Sequence, residues 1–167
     1  MIPILLSVPV LGLLTMLQSA VVSRIPLLHG IADVVMLAVI AWALQSRVKS
    51  AWHWAVVGGL LASLVTALPL GVMLASYLLT TALALLFRYR LWHLTVLSML
   101  IVTFAGTLIT HLLSIGALLI NDVPLPILDA FNLVTLPSLL LNLLLAIPVY
   151  IVLTDLAAWA YPEEIEV

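Results

Sequence analysis

Hydrophobic residues run through this chain in long, nearly unbroken stretches, and polar or helix-breaking residues serve mainly as punctuation between them. Neither the alternation of a half-buried strand nor the stripe of a water-facing helix is visible, so each stretch reads as a helix apolar on all sides. Residues 4–22 form the first, closed by Ser23-Arg24-Ile25-Pro26. It is longer than the apolar part of a secretion signal, and no Lys or Arg precedes it, so it reads as a retained span. Pro9 is tolerable there because neighbouring helices can satisfy the freed carbonyl. Residues 31–45 form a second, short stretch, followed by a loop carrying Arg47 and Lys49. Residues 52–87 are too long for one crossing at about 1.5 Å per residue, and they contain Leu68-Pro69-Leu70-Gly71, the one Pro-x-Gly of the chain. Residues 91–120 and 132–160 form the last two stretches, separated by a loop with Pro124 and Pro126. Pro137 and Pro148 interrupt the final one, and residues 161–167 form a tail.

Composition turns these helices into membrane spans. The 167 residues are 66% hydrophobic and 7% charged, with a mean hydropathy of +1.39. Soluble domains are about 45–50% apolar and about 25% charged, which excludes a water-soluble enzyme and a disordered tail. Five Lys and Arg against seven Asp and Glu are too few cations for a nucleic-acid surface. No cysteine is present, so disulfides, thiolate metal sites and cysteine nucleophiles are excluded. At about 20 residues per span the length allows five or six transmembrane helices in a single integral membrane domain, residues 1–167, of all-α class.

Charge decides how residues 52–87 are divided. As one tilted span they would put Arg47 and Lys49 on one side of the membrane and Arg88 and Arg90 on the other. If the chain turns at Pro69–Gly71, all four cations fall on one side, with Arg24, Asp122 and Asp129 opposite. The positive-inside rule then places Arg47, Lys49, Arg88 and Arg90 in the cytoplasm, giving six spans with both termini cytoplasmic. The five tryptophans (Trp42, Trp52, Trp54, Trp92 and Trp159) fall near that same face, where an interfacial belt is expected.

Candidate chemistry is sparse. No phosphate loop, HExxH, GxSxG or Asp-rich metal motif occurs, so neither catalysis nor a cofactor is expected. His111 is the one ionisable residue expected well inside a span; Asp33, Asp155 and Arg24 lie near predicted span ends, within reach of water. Thr103, Gly106, Thr107, Thr110, His111 and Ser114 share one helical face, which must point into the bundle or at a partner helix. Thr135, Ser138 and Asn142 offer a matching set in the last span. Ala51, Ala55, Gly59, Ser63, Ala67, Gly71 and Ala75 are small and recur every four residues. Such a ladder lets backbones approach closely in lipid, either within the fold or with another chain.

The run from Gly58-Gly59-Leu60-Leu61-Ala62-Ser63 to Leu68-Pro69-Leu70-Gly71 resembles the central signature of the MreD rod shape-determining family, a Gly-Leu-Leu-x-Asp-Leu segment leading to Leu-Gly at a short turn. Leu17-Gln18, Asp33 after a Pro-containing loop, Arg88 and Arg90, Asn142 and Pro148-Val149-Tyr150 sit where that family has similar features, so the resemblance spans essentially the whole chain. Ser63 stands where the family usually has Asp, which removes any role of that carboxylate, and the tail Glu163-Glu164-Ile165-Glu166 is acidic where a neutral or basic end is more familiar.

The resemblance implies a non-enzymatic subunit of the bacterial elongation machinery in the cytoplasmic membrane. It would work with MreC, a bitopic partner with a large outer region, and through it with the MreB cytoskeleton and the RodA–penicillin-binding-protein synthase. It also implies a six-helix fold similar to the substrate-binding subunits of energy-coupling-factor vitamin transporters. A vitamin-binding subunit is therefore the competing expectation. Against it, span 1 offers Thr15, Ser19 and Ser23 in place of the Ala-x-x-x-Ala face such subunits resemble one another in using.

Overall fold

The computed structural model describes residues 2–20, 27–69, 71–90 and 94–162. Arg24, Leu70, Trp92 and the acidic tail Glu163–Glu166, all named above, lie outside the described residues. The described residues are helical: α1 (Ile2–Ala20), α2 (Val34–Leu44), α3 (Trp52–Val65), α4 (Val72–Arg90), α5 (Thr95–Ile120), the short α6 (Ile127–Ala130) and α7 (Leu136–Ala160). A π-helical turn, Phe131–Thr135, joins α6 to α7. The continuous segment Ile127–Ala160, together with α4 and α5, is long and apolar enough to cross a membrane.

Successive helices run antiparallel around α2, which touches α1, α3, α4, α5 and α7. All eleven residues of α2 are buried. This explains why its sequence is apolar on every side: it faces other helices and not lipid. The outer helices show the reverse pattern. Leu5, Leu13, Met16, Leu64 and Leu144 point outward, each about 70% exposed, while Ser76, Thr80, Thr81, Thr103 and Thr107 are buried. Apolar side chains outside and hydroxyls inside suit a bilayer as the surrounding medium.

The long stretch 52–87 is a hairpin. Gly71 at its turn has φ +99°, a left-handed conformation that favours glycine, and an added Cβ would meet nothing within 4 Å. Gly71 is therefore required by backbone geometry and not by close packing. Gly59 is the opposite case: its Cβ would lie 2.8 Å from the Leu74 Cα, so it marks where α3 and α4 touch.

Arg88, expected only as a topology signal, closes the far end of α2. Its Nη1 donates to the carbonyls of Ala43, Gln45 and Val48 at 3.1–3.2 Å. Ala43 and Gln45 stand at the α2 C-terminus, where a cation is also favoured by the dipole, and Val48 lies in the loop that follows. Arg88→Met is expected to lower the unfolding free energy by about 2 kcal/mol, with Arg88→Lys intermediate, read from thermal unfolding in detergent. Equal stability of both variants and the parent would show that the guanidinium is dispensable.

The tryptophan belt needs correction. Trp42 and Trp54 are fully buried and stack with centroids 4.0 Å apart and planes 11° off parallel. They are a core pair, filling space where α2 and α3 meet. Trp52 and Trp159 are exposed, as a belt requires.

Candidate functional site

α2 is only about 16 Å long, roughly half the thickness of a bilayer core. The outer helices continue past its N-terminus, and the space left above it is an open cleft of about 640 Å³. The segment 27–33 forms one wall of this cleft, and a single proline fixes how that wall is held. In an α-helix the Leu133 carbonyl would accept from the N–H four residues on, but that residue is Pro137, which has none. The freed carbonyl, within the π-helical turn, accepts instead from His29 N–H at 3.1 Å. Ile31 N–H then donates to Ser138 Oγ at 3.0 Å, and Asp33 N–H to Asn142 Oδ1 at 2.7 Å. Alternate residues of the segment, which leaves a tight turn over 27–30, thus bond along the π-helical turn and the start of α7. Gly30 lies between them, so close that a Cβ would fall 2.5 Å from Ser138 N and 2.7 Å from Pro137 Cβ.

Asp33 is the hub. It caps α2 by accepting from Met36 N–H at 2.9 Å. The Tyr77 hydroxyl, reaching across from α4, donates to both carboxylate oxygens, 2.7 and 2.9 Å away. Gln18 from α1 bonds the carboxylate as well, and its Oε1 accepts from Val35 N–H at 3.2 Å. The network extends through Asn142, whose Nδ2 donates to Thr107 Oγ1 at 2.9 Å, and Thr107 in turn donates to the Thr103 carbonyl. Five helices (α1, α2, α4, α5 and α7) and the 27–33 segment are tied together by this cluster. A half-buried carboxylate among apolar helices makes this cluster the candidate site.

The expected residues separate into two groups. Thr103, Thr107 and Asn142 join Asp33 in one bonded chain, and His111 lines the cleft with its Nδ1 3.3 Å from Thr135 Oγ1. The polar face of α5 thus meets the matching set on α7 through Thr107–Asn142 and His111–Thr135, while Ser138 serves the 27–33 segment. Gly59 and Ser63 are buried along α3, with Ser63 Oγ bonded to the Gly59 carbonyl at 2.7 Å, whereas Ala67, Pro69 and Gly71 are exposed at the turn. The small-residue ladder therefore changes environment halfway: Ala51 to Ser63 faces the interior, and Ala67 to Ala75 does not. Arg47, Lys49 and Arg90 are exposed at the opposite end of the bundle from the cleft, the end where Arg88 closes α2.

Asp33, expected near a span end within reach of water, is the N-cap of α2 and lines the open cleft, half-buried. Its signal was the N-capping pattern, an Asp immediately before an apolar helix. Tyr77 carried no signal, since one tyrosine within an apolar run looks like any other.

Set against models of protein families, curated proteins and solved structures, the chain matches none of them.

Proposed function

We propose that this chain is a non-enzymatic scaffold of the bacterial cell-elongation machinery, a six-span protein of the cytoplasmic membrane with both termini inside. Its partner is an MreC-like bitopic protein, through which it helps position peptidoglycan synthesis by a RodA–penicillin-binding-protein pair along the MreB cytoskeleton. One observation supports the reading beyond hydrophobic spacing. Gln18, Asp33 and Asn142, scattered over 125 residues and each among the positions that resemble the MreD family, belong to a single hydrogen-bonded cluster. Arg88, another such position, closes the same buried helix at its other end.

Purification in mild detergent from cells expressing both proteins is expected to recover the MreC-like partner in fixed proportion to this chain. Reporter fusions after residues 69 and 167 should report opposite sides of the membrane. A chain that purifies alone and gives no crosslink to such a partner in cells would end the scaffold reading.

A second reading, a substrate-binding subunit of an energy-coupling-factor transporter, is favoured by the cleft itself. Its volume of about 640 Å³ lies within the range of small-molecule sites, and polar side chains converge on it from α1, α4, α5 and α7. A vitamin retained through purification and released on denaturation would support this reading over the scaffold.

A further inference from the structure

We propose that the cleft above α2 binds an amphiphile bearing a primary ammonium group, with the Asp33 carboxylate as its acceptor. The inference rests on neither functional reading, since a scaffold or a transporter subunit could each hold such a ligand.

Among the hydroxyls lining the cleft, four give their protons to the protein: Tyr77 to Asp33, Thr110 to the Met36 sulfur, Ser114 to the Thr110 carbonyl and Ser19 to the Thr15 carbonyl, while Ser138 and Thr66 accept from the Ile31 and Leu68 N–H groups. Their oxygens remain able to accept. The α2 N-terminus, which would otherwise attract an anion through its free N–H groups, is already covered, because Val35 and Met36 donate to Gln18 and Asp33. Among the described residues no Lys or Arg lines the cleft. Within this described lining an anionic head would thus face a carboxylate and neutral groups.

The groups bonded to Asp33 are neutral donors: Met36 N–H, the Tyr77 hydroxyl, the Gln18 amide and Val35 N–H. An ammonium brings the positive charge that none of these supplies, and three donors for the carboxylate edge and neighbouring hydroxyl oxygens. His29 and His111, which also line the cleft, can accept through a neutral ring nitrogen. Toward the rim the lining turns apolar, with Ile31, Val65, Leu68, Met73, Leu118 and Val134, which suits a hydrocarbon body.

The test uses full-length protein in a neutral maltoside detergent, with octylammonium, octanol and octanoate as matched probes followed by native mass spectrometry and thermal shift. Octylammonium is expected to give a saturable one-to-one adduct, at least tenfold tighter than octanol, with octanoate weaker still. Asp33→Asn keeps an oxygen to cap α2 and should erase the preference for octylammonium over octanol. Val65→Trp, at an exposed position on the rim, leaves the polar cluster untouched and should block all three probes. It decides the matter if Asp33→Asn fails to fold. Competition by a short-chain phosphatidylethanolamine would identify a lipid amine as the source, and its failure to compete a soluble one. Octanoate binding as tightly as octylammonium, uptake without saturation, or unchanged affinity in Val65→Trp would each overturn the proposal. Recovery of the partner protein is unaffected by any of these results, so the two ideas fail separately.

Discussion

Asp33→Ala is expected to lower the unfolding free energy by about 3–5 kcal/mol, enough to remove most folded protein from the membrane. Three donors lose their acceptor at once: Met36 N–H, the Tyr77 hydroxyl and the Gln18 amide. A buried donor left unsatisfied costs about 1–3 kcal/mol, and loss of the N-cap alone costs about 1 kcal/mol. Asp33→Asn keeps the cap oxygen and should cost less, about 1–2 kcal/mol. Tyr77→Phe removes the donor that needs Asp33 and should also be mild. Combining Asp33→Ala with Tyr77→Phe should therefore be less damaging than the sum of the two, because the orphaned hydroxyl is gone. Thermal unfolding in detergent measures all four variants, and strict additivity would show that the two side chains act independently.

Gly30→Ala should be nearly as severe, at about 2–4 kcal/mol, although it adds one methyl group. The atoms in its way are Ser138 N and the Pro137 ring, neither of which can rotate aside. The 27–33 segment must lift, and the bonds from His29 to Leu133 and from Ile31 to Ser138 lengthen or break. Gly12 and Gly116 supply the comparison. Both lie within helices, a Cβ on either meets nothing within 4 Å, and Gly12→Ala or Gly116→Ala should be neutral or stabilising by up to about 1 kcal/mol. Yield of monodisperse protein and melting temperature should rank Gly30→Ala far below the other two. Similar losses at all three positions would mean that helix propensity and not the contact with α7 sets the outcome.

By itself the sequence determined the helical class, the apolar stretches and the turn at Pro69–Gly71, because each depends on local properties: hydrophobic run length, proline, glycine and the placement of a few cations. It also determined that Thr103, Thr107 and His111 share a face, since a helix fixes that by periodicity alone. Tertiary structure decided what such residues meet. Whether an apolar helix faces lipid or protein cannot be read from an all-apolar sequence, so nothing marked α2 as the enclosed helix, and Trp42 and Trp54 looked like an interfacial belt. Pro137 announced that the Leu133 carbonyl would be free, but only the folded chain shows His29 filling it. The cleft was the least legible feature. It exists because α2 is short and because five elements continue beyond its first turn, and the pairing of Asp33 with Tyr77 joins residues 44 positions apart. Local pattern sets which groups need a partner; the packing of helices against one another sets which partner each one finds.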